Sequence, residues 1–205
     1  RIQQELNKIL LANPEDITDL LYIDLLDYII PELVICFETS QDNPYHIYDV
    51  GAHIIKSCTA IDSKLHLRLA MLFHDIGKPD VKTIDENGIG HFYNHAELSS
   101  EMATRILRRL RYDNNTIMKV RDLILYHNDE IHDSPKSVRK WLNRIGEEMF
   151  RELLLVKKAD ILAQNPIYYE KRHNKLQRIN EILDTALSEN TCFSKKDLAI
   201  NGNDL

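Results

Sequence analysis

In residues 69–79 (LAMLFHDIGKP) an apolar run ends in an adjacent His74-Asp75 pair, and Gly77, Lys78 and Pro79 follow at once. Imidazole and carboxylate are ligands for divalent metal ions, and a nearby ammonium can offset the charge of a phosphate. The spacing predicts a helix that buries Leu69, Ala70, Leu72 and Phe73 on one face and presents His74, Asp75 and Lys78 at its mouth. Gly77 and Pro79 would stop it there, since Gly tolerates φ > 0 and Pro lacks a backbone donor. Taken alone, the pair reads more simply as a core histidine beside a surface aspartate.

Other positions change that balance. His53 falls on the helical stretch before the pair, with Ile54, Ile55 and Cys58 around it. His95 opens the helix after a polar loop, and His127 closes another in the sequence LYHN over 125–128. Asp160 sits in LLLVKKADIL over 153–162, an otherwise apolar helix, where an unpaired carboxylate would cost several kcal/mol. Each has an ordinary reading: His53 as a satisfied core histidine, His127 as a helix C-terminal cation, His95 as a loop residue, and Asp160 as a partner of Lys157 or Arg139. As a set ordered His, His-Asp, His, His, Asp on successive helices, they are hard to explain by packing. A metal ion would satisfy all of them. His46 competes with His53 for the first place, and His53 is preferred because its helix carries it toward the pair.

The elements that must hold these residues are short helices. Ile2, Leu6, Ile9 and Leu10 recur at helical spacing before the Asn13-Pro14 break, and acidic Glu15 and Asp16 suit the first turn of a second helix. A third run ends at Pro31, which then opens a short helix to Phe37. Residues 39–45 (TSQDNPY) form the first clear loop. Next come a helix reaching about Ala60 and the helix into His74-Asp75, with Asp62-Ser63 offered as the latter's cap. Residues 80–90 (DVKTIDENGIG) read as a polar loop or small hairpin, the one place where strand is expected. Helices follow over about 96–110, 114–126, 137–144, 147–163 and 166–187. The fold class is therefore all-α.

Composition narrows the function classes. The chain has 205 residues, 43% hydrophobic and 28% charged, and its 6 Gly and 6 Pro argue against a loop-rich or all-β architecture. No apolar run approaches the ~20 residues of a membrane span, and no signal peptide is visible, so a cytoplasmic protein with no membrane partner is expected. The chain begins at Arg1 rather than Met, which leaves room for an upstream part. Cys36, Cys58 and Cys192 lack CxxC spacing and read as reduced thiols. The net charge of −6 weighs mildly against wrapping nucleic acid by bulk electrostatics. Local basic runs exist, Arg105/Arg108/Arg109/Arg111 and Lys171/Arg172/Lys175/Arg178, and read by default as solvated helix faces.

The ordered set over roughly 45–164 resembles the HD-domain phosphohydrolase superfamily, named for its His-Asp pair. The resemblance implies an HD-type helical bundle and a metal held by His53, His74, Asp75 and Asp160. In binuclear members two more histidines join, here His95 and His127, and Lys78 looks like the lysine that faces the substrate phosphate. A narrower resemblance runs through RIQQELNKILL over 1–11, NPYHIYDV over 43–50, ADILAQN over 159–165 and DLAINGNDL over 197–205. These stretches are similar to the HD-containing C-terminal part of bacterial CCA-adding enzymes and poly(A) polymerases. In that family the HD module follows a nucleotidyltransferase head, which these residues do not include, so nucleotidyl transfer is not expected of this chain alone. The organisation expected is a neck-like helical segment over 1–42, the HD domain over 43–188 and an extension over 189–205.

A mixed His/carboxylate set suits Mn, Fe, Co, Ni or Zn and tolerates Mg. The function expected is phosphoester hydrolysis of a nucleotide, cyclic nucleotide or RNA end by metal-activated water, with Asp75, Lys78, His95 and His127 as the residues of the chemistry. The partner is then a phosphorylated small molecule or nucleotide. The alternative is a non-catalytic RNA-contacting body of a tRNA nucleotidyltransferase, with tRNA as partner and the metal site stapling helices together.

Overall fold

The computed structural model describes residues 1–188; the expected extension over 189–205, with Cys192 and the DLAINGNDL stretch, lies outside the described residues. In chain order the elements are α1 (Ile2–Ala12), α2 (Ile17–Tyr22), α3 (Leu26–Ile29), α4 (Pro31–Phe37), α5 (Val50–Ala60), α6 (Leu65–Phe73), α7 (Lys78–Val81), β1 (Thr83–Ile84), β2 (Gly90–His91), α8 (His95–Arg109), α9 (Asn114–Tyr126), α10 (Pro135–Leu162) and α11 (Tyr169–Ser188). The architecture is all-α. Its strands form a two-residue antiparallel ribbon within the polar loop, Thr83 opposite His91 and Ile84 opposite Gly90. Among the described residues no helix is long and apolar enough to cross a membrane.

Local signals set most boundaries. The Asn13 side chain accepts from the Glu15 backbone N–H, and Pro14 then leads a single 3-10 turn into α2. Pro31 opens α4 at the position where a missing N–H costs nothing. The Asp49 carboxylate accepts from Ala52 N at 2.7 Å, so α5 starts at Val50. Asp113 does the same for α9 through Thr116 N. Gly146, at φ 77 and ψ 168, breaks α10 in two, at the boundary expected between the 137–144 and 147–163 helices.

One boundary forms differently from expectation. Asp62-Ser63 does not cap α6, whose first flanking residue is Lys64 with no side-chain cap. The Ser63 hydroxyl instead donates to the Leu11 carbonyl at 2.8 Å, tying the turn to the end of α1.

Helix α6 is the axis of the fold, in contact with α1, α5, α8, α9 and α10. It is buried all round rather than on one face: every residue from Leu67 to Phe73 is buried. Each large apolar side chain taken from water there contributes about 1.5–3 kcal/mol. The one charge in the run, Arg68, is satisfied by carbonyls, its Nη1 donating to Leu10 at 3.1 Å. Cys36 and Cys58 are buried free thiols, each pushed up in pKa by burial. A helix enclosed this completely delivers its last residues into the middle of the protein. His74 and Asp75 therefore lie in the interior, 0% and 1% exposed.

Candidate metal centre

His53 comes from α5, His74 and Asp75 from the end of α6, His95 from the first turn of α8, His127 from the end of α9, and Asp160 from the last turn of α10. Tertiary packing brings all six together. His53 Nε2 lies 3.2 Å from His74 Nε2, 3.3 Å from Asp75 Oδ2 and 3.0 Å from Asp160 Oδ1. His74 Nε2 lies 3.3 Å from Asp75 Oδ2 and 3.8 Å from Asp160 Oδ1. On the other side of Asp75, Oδ1 is 3.4 Å from His95 Nε2 and 3.7 Å from His127 Nε2, and those two nitrogens are 3.3 Å apart. Asp75 thus stands between two groups, His53/His74/Asp75 and Asp75/His95/His127, each with donor atoms within 4.8 Å of one another and able to hold a metal ion.

The tautomers follow from the outer nitrogens. His74 Nδ1 donates to the Met71 carbonyl at 2.7 Å, His95 Nδ1 to Phe92 at 2.7 Å, and His127 Nδ1 to Ile124 at 2.6 Å. His53 Nδ1 donates to the Ala163 carbonyl at 3.2 Å. A carbonyl only accepts, so each Nδ1 carries a proton, and each Nε2 turns toward its neighbours, where it either holds a second proton or offers a lone pair to a cation. Lone pairs at 3.2–3.3 Å repel unless a proton or a cation lies between them. Asp75 Oδ2, buried, has no hydrogen-bond partner, although Lys78 Nζ is 2.7 Å away. Opposed nitrogen lone pairs around an under-satisfied carboxylate oxygen are what a divalent ion would relieve, so the donor set fits a metal.

Electrostatics at the centre are strongly perturbed. Burial alone would lower the His74 pKa, but Asp75 and Asp160 outweigh it and hold the ring at about 10. His53 is raised by the same carboxylates against its own burial. Asp75 and Asp160 are held well below the usual carboxylate range: desolvation opposes this, and the surrounding cations and imidazole hydrogen bonds prevail. His95 goes the other way, lowered by burial to about 4.

Several supporting residues were not apparent in the sequence. Among the described residues Asp160 is not ion-paired with Lys157. Gln164, one turn further on, donates from Nε2 to both Asp160 oxygens at 3.1 Å. Lys157 Nζ instead donates to the carbonyls of His127 and Asp129 at 2.6 and 2.7 Å, clamping the turn that carries His127. Lys78 Nζ donates to Gln41 Oε1 at 2.7 Å and lies 5.1 Å from the centre of the Phe92 ring. The only signal for Gln164 was its i,i+4 spacing from Asp160. Gln41 had none, since its contact is made from a loop 37 residues from Lys78.

His46 stays outside the cluster, its ring edge-on to His53 with centroids 5.1 Å apart. Burial lowers its pKa to about 3, and its Nδ1 has no partner. Gly77 also departs from expectation. Its φ of −87 lies in the right-handed region, so positive φ is not why glycine stands there. An added Cβ would meet Ser99 N at 2.9 Å, and Gly77 N donates to Ser99 Oγ at 2.9 Å. The His-Asp turn needs glycine to lie against α8.

Two cavities of about 420 and 450 Å³ border this cluster and share His46, His127, Asp160 and Gln164 in their walls. The second also reaches Asp75, Lys78 and His95.

A buried His-Asp pair at the end of a central helix, with imidazoles converging from its neighbours, matches the HD domain family model over residues 45–165, and the chain belongs to that family. It is 28% identical to the CC-adding tRNA nucleotidyltransferase of Thermus thermophilus over 207 aligned positions, 97% of this chain and 47% of that protein. It is also 28% identical to the A-adding tRNA nucleotidyltransferase of Deinococcus radiodurans, over 78% of this chain and 38% of that protein. The chain therefore spans about half or less of the length of these relatives.

Proposed function

We propose that this chain is a metal-dependent phosphohydrolase acting on a phosphoester of a nucleotide or RNA end. The observation that carries the reading is the pair of His/carboxylate groups joined through Asp75, with Lys78 beside them at the edge of a cavity. His53, His74, Asp75 and Asp160 would hold one divalent ion, and His95 and His127 a second through Asp75. A bound divalent ion would acidify water near neutral pH and withdraw charge from phosphoryl oxygens. Asp75, common to both groups, would hold the ion and orient its water. Lys78, kept by Gln41 and Asp75 at a fixed place, offsets charge on the phosphoryl oxygens. His95, neutral at physiological pH because burial lowers it to about 4, suits a ligand better than a proton donor.

The test is hydrolysis of 2′,3′-cyclic AMP and of bis(p-nitrophenyl) phosphate by the chain stripped of metal and reloaded with Mn, Ni or Mg. Metal should restore turnover, and Asp75→Ala should lose about 100-fold or more with its far-UV circular dichroism unchanged. Turnover unaffected in Asp75→Ala sinks the reading.

The similarity to tRNA nucleotidyltransferases favours a second reading, in which this is the RNA-contacting body of such an enzyme and the metal site is structural. It expects steeply salt-dependent tRNA binding without metal-dependent turnover.

A further inference from the structure

Helix α11 carries Arg172, Lys175 and Arg178 at successive turns of one face. The last two are neutralised by the loop between α9 and α10, Lys175 by Glu130 at 3.1 Å and Arg178 by Asp133 at 2.8 Å. Arg172 is the one nearest the candidate metal centre, and among the described residues no carboxylate pairs with it. Its guanidinium lies over the Tyr45 ring, 4.7 Å from the centroid, and its Nη1 donates to Gln164 Oε1. Tyr45 is braced in turn by Tyr168, ring centroids 4.6 Å apart. A guanidinium has five N–H donors in a planar fork that matches phosphate oxygens, and here the acceptor it meets is a neutral amide.

Arg172 lines the cavity of about 420 Å³, together with His127, Asp160 and Gln164. The acids of that cavity are already engaged: Glu130 by Lys175, Asp129 by Arg144 at 3.4 Å, and Asp160 by Gln164 and His53. Two cations there have no acid of their own, and of these Lys157 is spent on the His127 and Asp129 carbonyls, which leaves Arg172. Gln164 bridges it to the Asp160 carboxylate, accepting from Arg172 on Oε1 and donating to Asp160 from Nε2. Lys78 flanks the same cluster from the neighbouring cavity.

We propose that Arg172, backed by Tyr45, is a second phosphate subsite, so that the ligand is a nucleotide with phosphates on both sides of one nucleoside. One phosphate would sit at the metal centre beside Lys78 and the other on Arg172, with the nucleoside lying across the wall residues that the two cavities share. This rests on the phosphohydrolase reading for what happens at the first phosphate, and adds what selects the substrate. A free nucleoside bisphosphate and the phosphorylated end of an RNA strand share this chemistry.

Calorimetric titration of the Mn-loaded chain with adenosine 3′-monophosphate, adenosine 3′,5′-bisphosphate and a short oligoribonucleotide ending in a 3′-phosphate tests it. The bisphosphate, the oligonucleotide or both should bind on the order of tenfold tighter than the monophosphate, the worth of one charge-assisted contact. Arg172→Gln keeps a donor for Gln164 and should erase that advantage while leaving monophosphate affinity and metal content unchanged. Arg172→Lys should retain part of it. Equal affinities in the wild type, or an advantage that survives in Arg172→Gln, overturn the subsite. Turnover of all three without an Arg172-dependent preference keeps the hydrolase and removes the subsite. The preference without turnover of any of them keeps the subsite and removes the hydrolase.

Discussion

His53 and His46 stand seven positions apart, and both rings reach the neighbourhood of the centre, yet their surroundings differ. His53 Nε2 faces Asp160 at 3.0 Å and His74 at 3.2 Å, whereas the ring of His46 meets His53 only edge-on. His53→Ala should therefore lower metal affinity by at least the 10- to 100-fold that loss of an outer partner costs, and His46→Ala should leave metal content unchanged, as read by inductively coupled plasma analysis after dialysis. The protonation of His74 makes a second prediction, for the metal-free chain. Its pKa is raised from 6.5 to about 10 in the folded state, so the stability it contributes is full below pH 6.5 and is lost as pH rises toward 10. Thermal melts of chelated protein should fall across that window. Metal-loaded protein should not follow, because a cation then takes the place of the proton.

At the scale of elements, the site depends on how closely the His-Asp turn lies against α8. Gly77→Ala would drive a Cβ to 2.9 Å from Ser99 N, a backbone atom that cannot swing aside. The expected cost is about 1–3 kcal/mol, measured by urea denaturation, together with weakened metal binding, because α8 carries His95 and the turn carries Asp75. Helix ends do most of the presenting. His74 and His127 sit at the ends of α6 and α9, and each Nδ1 bonds the carbonyl three residues back, one of the groups a helix terminus leaves unpaired. His95 makes the same bond to Phe92 at the start of α8. His53 differs, since its Nδ1 reaches Ala163 from 110 residues away, so its orientation depends on α5 and α10 being docked.

For the molecule as a whole, the candidate ligands come from α5, the end of α6, α8, α9 and α10, which means an ion bound there would tie those elements together. Removing it should lower the melting temperature of the whole HD domain in one cooperative step. At free metal 100-fold above Kd the linked stabilisation is about 2.7 kcal/mol. Calorimetry with and without chelator reads this directly, and a melt indifferent to metal would mean that the cluster does not bind it. Both cavities are lined by residues of this cluster, which places a substrate bound in either beside the converging helices.

Most helix extents, the all-α class and a break between residues 144 and 147 were legible from the sequence, because caps, prolines and apolar spacing are local properties. The ordered histidines and aspartates could be recognised as a set, but which groups would share an atom could not. The enclosure of α6 on every side, the exclusion of His46 and the pairing of Asp160 with Gln164 arise from contacts between segments far apart in the chain. Arg172 looked like part of a solvated basic face until α11 was docked. Its neighbours then met acids of the 130–133 loop and Arg172 met only an amide and a ring. Charge along a sequence shows which groups must be compensated, and the tertiary structure decides which are and which remain available to a ligand.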